Sequence, residues 1–245
     1  MLQKKITQIS FGIALSLTVL MWLVFILDYY FDLHWYQYGL YPQTTNGLLG
    51  IVTAPFLHST KDFSHIVNNS IPFFVLTWML FYHYRTVATR AFLFIYLFTG
   101  LVMWVLARES YHIGMSGVIY GLTSFLIVSG FFRKNMKVAG ISLVVIFLYG
   151  STVWGIFPNQ IGVSWEAHAY GFLSGILIAV IFRKSGPQPR KMIYEIEEEM
   201  GIEPEFEYWK DQPVIPKEEE QPKIIINYTI VPESPKVEKE EKKKD

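Results

Sequence analysis

Two short stretches of this 245-residue chain pair a potential nucleophile with a potential base. In HIGMSGVIYGL, Ser116 stands between Gly114 and Gly117, with Gly121 four residues further on; in SWEAHAYGFLSG, His168 is followed by Gly171 and Gly175. Serine attacks a carbonyl carbon only when a neighbouring base takes its proton, and histidine is the usual base because it titrates near neutrality. Spacings of three and seven put His168 and both glycines on one helical face. Glycines facing one another on two helices let the backbones touch, which would bring Ser116 and His168 to a common depth within hydrogen-bonding range. Each motif alone has a reading without chemistry: Gly117-xxx-Gly121 packs helices unaided, and a lone histidine near a helix end is more often interfacial. Their pairing is what favours catalysis.

Apart from Glu166 at the very start of the last apolar run, no Asp or Glu lies within the runs to serve as the third member of a triad, so the expected device is a Ser–His dyad. Tyr120, one turn after Ser116 on the same face, either supports the imidazole by stacking or is an ordinary core aromatic. In FSHIVNNSIPF, His65 and Asn69 are four apart and share a helical face; with the backbone N–H of Ser116 they could form an oxyanion hole. Asn68 falls on a different face and reads as a packing or interfacial amide. His34, His58, His83 and His112 read as interfacial and are assigned no chemistry. The absence of cysteine excludes disulfides, thiol nucleophiles and thiolate metal sites. His65 and His168 could ligate zinc, but HExxH is missing, so no metal and no cofactor is expected. Nothing resembles a phosphate loop, a nucleotide fold or a nucleic-acid-binding patch.

The elements that must position these residues are apolar helices. Hydrophobic residues make up 51% of the chain, aromatics 17%, and the mean hydropathy is +0.28. A bilayer core about 30 Å thick asks for about 20 apolar residues per helix, and runs near that length occur at 8–27, 65–84, 91–107, 114–132, 138–155 and 166–182. The expected fold is all-α, a polytopic membrane bundle of six transmembrane helices. The first run follows Lys4 and Lys5 but has no small-residue cleavage site after Asp28, so it is expected to be retained as a helix rather than removed as a signal. Lys4, Lys5, Arg85, Arg90, Arg133, Lys134, Lys137, Arg183, Lys184, Arg190 and Lys191 flank the runs on one side, against Lys61 and Arg108 on the other. By the positive-inside rule both termini are then cytoplasmic, and the segment from Asp28 to Asp62, rich in Tyr and Trp, lies on the outer membrane surface. A transporter or channel would need polar groups continuing toward the cytoplasmic side, whereas these cluster near the external ends.

Residues 1–184 form the expected membrane domain, with 11 Lys/Arg against 5 Asp/Glu; residues 185–245 form a charged cytoplasmic tail with 10 against 16. The tail is too poor in aliphatic residues to offset chain entropy and is expected to be mostly disordered. Within it, residues 190–202 could form a short helix near the membrane and 223–231 a strand on meeting a cytoplasmic partner; simple solvation of the terminus is the plainer alternative.

Over roughly residues 1–184 the chain resembles the rhomboid family of intramembrane serine proteases. The resemblance is carried by GMSG (Gly114 to Gly117) with Tyr120 four after the serine, by His168-x-x-Gly171-x-x-x-Gly175, and by FLH (Phe56 to His58) followed by His65-x-x-x-Asn69. It implies a six-helix fold with a water-filled cavity open to the exterior, in which Ser116 is nucleophile, His168 base, His65 and Asn69 oxyanion donors and Tyr120 the support beneath His168. The fifth span and the loop before it would form a lateral gate and cap. The implied partners are the lipid bilayer and transmembrane protein substrates, cut where the helix unwinds, and the implied location is a bacterial inner membrane. Two features depart from the family pattern. The spacing from His58 to His65 is two residues longer than in many relatives, and Tyr41-Pro42-Gln43 stands where Tyr-Pro-Arg is frequent, which leaves the anchoring of the first loop open. The rival within the fold is a catalytically inactive rhomboid-like protein that binds membrane proteins without cutting them.

Overall fold

The computed structural model describes residues 2–133, 135–158, 163–188 and 193–201. Six long helices coincide with the six apolar runs: α1 (Leu2–Phe31), α3 (Phe63–His83), α4 (Ala88–Leu106), α5 (Ser116–Phe132), α6 (Met136–Tyr149) and α7 (Trp165–Ile181). A single helical turn, α2 (Gly50–Thr53), lies in the segment between α1 and α3. Among the described residues there is no strand, only an isolated bridge between Leu40 and His112. The chain divides into a helical unit, Met1–Arg190, and a second unit, Lys191–Asp245, whose described residues include a short helix, α8 (Ile193–Glu199). The disorder and the strand expected of the tail lie outside the described residues.

Helix starts follow local capping chemistry. The Asp62 carboxylate accepts from Ser64 N–H at 2.9 Å at the head of α3, the Asn135 amide oxygen accepts from Lys137 N–H at 3.0 Å at the head of α6, and Ser164 caps α7. The head of α5 is different: Gly114, at φ +109°, turns the chain so that the helix begins at Ser116, two residues later than the apolar run suggests. The fifth run also deviates. Its α-helix stops at Tyr149, and residues Gly150–Ile156 continue as a tighter 3-10 helix.

Helix α5 is the centre of the bundle. It packs most closely on α7, with α6, α3 and α4 completing the ring around it, while α1 lies on α3. The shared core is built from Phe73, Leu76, Leu80, Ile95, Leu122 and Phe125, all fully buried. At the far end of the bundle, buried Arg133 donates to the Phe182 carbonyl at 2.8 Å and to the Ser185 carbonyl, and its guanidinium covers the Tyr84 ring. These bonds go to carbonyls at and just beyond the end of α7, where the helix has no further N–H groups to offer. Helices α1 and α4 are long and apolar enough to cross a membrane; α5, α6 and α7 are equally apolar but shorter. Large apolar side chains such as Leu23, Ile71, Leu143 and Phe147 stand exposed around the outside.

The first long loop is firmly anchored despite its unusual sequence. Gln43 N–H donates to the Trp104 carbonyl at 2.9 Å, Trp104 Nε1 returns a bond to the Thr44 carbonyl at 2.9 Å, and Gln43 Nε2 reaches the Val105 carbonyl at 3.1 Å. Gln43 takes a left-handed conformation (φ 57°) to do this. The end of α4 and the loop therefore hold each other, and a small apolar cluster of Leu40, Ala54, Met103 and Ala107 fills the space between them.

Candidate active site

Gly114 and Ser116 lie where α5 meets the residues leading into α3. Gly114 N–H donates to the Ala54 carbonyl at 2.9 Å. A Cβ on Gly114 would sit 2.6 Å from His65 Nε2 and 3.8 Å from Asn69 Nδ2, so only glycine lets the chain pass this closely. Ser116 follows as the first residue of α5, half-buried. Its N–H is one of the first-turn groups that have no acceptor within the helix, and the positive end of the helix dipole sits there. The Ser116 hydroxyl makes no hydrogen bond to His168 in this structure.

The crossing of α5 and α7 explains why His168 comes to the same end. A Cβ on Gly117 would lie 3.2 Å from the Ala167 carbonyl oxygen, and one on Gly171 would overlap the Gly117 carbonyl. Deeper in, a Cβ on Gly121 would lie 3.0 Å from the Gly171 oxygen, and one on Gly175 would overlap the Gly121 carbonyl and the Ser124 hydroxyl. The backbones are thus in contact over two turns. A hydroxyl reinforces the seam, Ser124 Oγ donating to the Phe172 carbonyl at 2.7 Å, and the Thr99 and Ser174 hydroxyls, 2.9 Å apart, tie α4 to the same stretch of α7.

His168 is buried and held on two sides. Its ring lies flat on Tyr120, with centroids 4.1 Å apart and planes 4° from parallel. Its Nδ1 lies 2.8 Å from the Gly155 carbonyl oxygen. A carbonyl can only accept, so Nδ1 carries the hydrogen and Nε2 is the nitrogen able to take a proton. The Gly155 carbonyl thereby fixes the tautomer, the role a carboxylate fills in a triad. Glycine is needed there, because a Cβ would lie 3.1 Å from His168 Nδ1 and overlap the Tyr120 hydroxyl. Nothing in the sequence marks Gly155: the apolar run extends through it, and only the change from α to 3-10 winding turns its carbonyl toward α7.

His65 and Asn69 occupy one face of α3, Asn69 buried and His65 half-buried, while Asn68 is exposed on another face. Asn69 Nδ2 donates to the His65 carbonyl at 2.9 Å and lies 3.2 Å from His58 Nε2. His58 is therefore not interfacial. It is 2% exposed, its Nδ1 faces the Phe56 carbonyl at 3.3 Å, and its ring stands 5.0 Å from that of His65. Burial first, and then the adjacent His65, lower its pKa to about 3, so it is neutral with Nε2 as acceptor for the Asn69 amide. His112 is likewise buried, bonded to the Ser164 hydroxyl at 2.7 Å and the Arg108 carbonyl at 3.1 Å. Both histidines precede helices by several residues, and it is the folding back of their loops that buries them. His34 is exposed as expected. An apolar cavity of about 40 Å³ lies beneath Gly114 and Gly117, walled by Ala54, Thr99, Met103 and Ala167. Among the described residues no three His, Asp or Glu side chains converge as metal ligands do.

The profile of the Rhomboid domain matches residues 45–185. An uncharacterized protein of Mycobacterium tuberculosis is 33% identical over 177 residues, which cover 68% of this chain and 72% of that protein. An uncharacterized protein of Mycobacterium leprae is 31% identical over 153 residues, 58% of this chain and 59% of its own length. A protein of Acanthamoeba polyphaga mimivirus that carries a provisional rhomboid name is 26% identical over 149 residues, 57% of this chain and 78% of its own.

Proposed function

This chain belongs to the rhomboid family of membrane-embedded proteins, and from that premise we propose that it is an intramembrane serine endopeptidase acting on transmembrane segments of other proteins. The observation that carries the reading is the His168 imidazole beside the head of α5, stacked on Tyr120 and tautomerically fixed by the Gly155 carbonyl, with Nε2 free to act as base.

In this reading Ser116 Oγ attacks the scissile carbonyl and passes its proton to His168 Nε2. The developing oxyanion is met by the Ser116 N–H, by His65 and by Asn69, whose amide turns one hydrogen away from His58 Nε2. His168 then protonates the leaving amine, and water hydrolyses the acyl-enzyme with the same residue as base. The six long helices cross the bilayer with both termini in the cytoplasm, in a bacterial inner membrane. The first loop lies at the outer surface and the exposed apolar girdle meets lipid. Substrates rich in Gly, Pro or other weak helix formers at the cut are preferred, because an intact helix withholds its carbonyls in hydrogen bonds.

Purified protein is treated with a fluorophosphonate and tested for cleavage of a transmembrane substrate in liposomes, wild type against Ser116→Ala and His168→Ala. Labelling and cleavage vanish in both variants; labelling that survives both sinks the dyad. A second reading, a non-cutting binder of membrane proteins, draws on the missing Ser116–His168 hydrogen bond. Such bonds are often loose before substrate binds, and wild-type protein that binds the substrate without labelling or cutting would establish the binder instead.

A further inference from the structure

A set of contacts that the catalytic scheme does not use joins the segment leading into Ser116 to the one leading into His168. Glu166, two residues before His168 in the first turn of α7, is 3% exposed. Its Oε1 lies 3.4 Å from Arg108 Nε, while its Oε2 is buried with no hydrogen-bond partner. The Arg108 side chain is half-exposed and also donates from Nη2 to the Val163 carbonyl at 2.9 Å. Four residues on, His112 Nε2 donates to the Arg108 carbonyl at 3.1 Å, which leaves Nδ1 to accept from the Ser164 hydroxyl at 2.7 Å. Ser164 in turn caps α7 by accepting from Ala167 N–H.

The segment 108–112 leads directly into Gly114 and Ser116; the segment 163–166 leads directly into His168. Three links join them above the site, and the contact of Gly117 with Gly171 joins α5 to α7 just below it. Tyr120 and the Gly155 carbonyl orient the imidazole but leave its separation from Ser116 to the two backbones. An ion pair with one partner half in water and one carboxylate oxygen bare contributes little net stability. What it supplies is fixed geometry.

We propose that Glu166 and Arg108 are positioning residues, a clasp that sets the separation of Ser116 and His168 from the open side of the site. The proposal rests on the proteolytic reading above. A clasp of this kind acts on the chemical step and leaves substrate binding alone, since neither side chain needs to touch the substrate.

The test uses the full chain in proteoliposomes, with Glu166→Gln, Arg108→Ala, the double variant and Arg108→Lys. Kinetics with a transmembrane substrate, fluorophosphonate labelling rates and thermal midpoints are measured for each. Glu166→Gln and Arg108→Ala each lower kcat and the labelling rate by about tenfold or more, the scale on which displaced reacting groups lose rate, with KM unchanged. The double variant is no worse than either single change, and Arg108→Lys recovers most of the rate. Wild-type kcat in folded Glu166→Gln, single losses that multiply in the double variant, or a loss that tracks only the unfolded fraction would each overturn the clasp. Should Glu166→Gln fail to fold, half-exposed Arg108→Ala decides on the same readouts. A Ser116→Ala variant that still cuts brings down the proteolytic reading itself; a silent Ser116→Ala beside a full-rate Glu166→Gln brings down the clasp alone.

Discussion

Helices α5 and α6 follow one another in the chain and are comparably apolar, yet they do opposite jobs. Helix α5 is buried nearly all round, from Gly117 to Leu126 without a break. In α6 only Val138, Ile141, Ser142 and Val145 are buried, and Phe147 is 88% exposed. Hydrophobicity does not distinguish them, because lipid and protein interior are equally apolar surroundings. Small and hydroxylated residues do. On α5, Gly117, Gly121 and Gly130 each have a neighbour where a Cβ would go, whereas Gly140 on α6 has open space around it. The Ser142 hydroxyl, on the buried stripe of α6, points back to bond the Leu126 carbonyl of α5 at 2.7 Å.

That contrast can be broken at graded cost. The largest effect is expected of Gly171→Val, which drives a branched side chain into the α5 backbone at Gly117; folded protein and proteolysis should both be lost, read by thermal denaturation and substrate cleavage. Next comes Asn69→Ala, which asks whether the head of α5 presents a site or only a packing surface. It should lower kcat by about a hundredfold or more with the fold retained, as loss of one oxyanion donor does; a near-normal kcat would return Asn69 to a structural role. Ser142→Ala should cost about 1 kcal/mol of stability and leave kcat alone, the worth of one hydrogen bond. Smallest is Gly140→Ala, which should stabilise α6 by up to about 1 kcal/mol through helix propensity. A destabilising Gly140→Ala would mean that the outer face of α6 is packed after all.

What was legible in the sequence was whatever repeats along a helix. Runs of apolar residues gave the six long helices, and the glycine spacings after Ser116 and His168 gave the seam between α5 and α7. What depends on chain reversal was not legible. His58 looked interfacial because it precedes α3 by several residues, and only the turn at Ala54–Phe56 carries it in against Asn69. The fifth run was read through residue 155 because GSTVWG contains no proline or charge to end it; the tightening after Tyr149 that delivers Gly155 to His168 has no compositional mark. The open question over Tyr41-Pro42-Gln43 is answered by two bonds to the end of α4, one from the Gln43 N–H and one from its side chain.

The Gly155 carbonyl has an electrical consequence. The two groups that hold the His168 ring, a peptide carbonyl and a phenol, are both neutral, and the buried Glu166 carboxylate two residues earlier is paired with Arg108. A buried aspartate in that position would hold a full negative charge within an apolar bundle at every moment, at a cost that a bilayer makes severe. A dipole asks for nothing while the protein waits. Under the proteolytic reading it compensates only part of the imidazolium charge when a proton arrives, which exchanges some transition-state stabilisation for a resting state that an apolar environment tolerates.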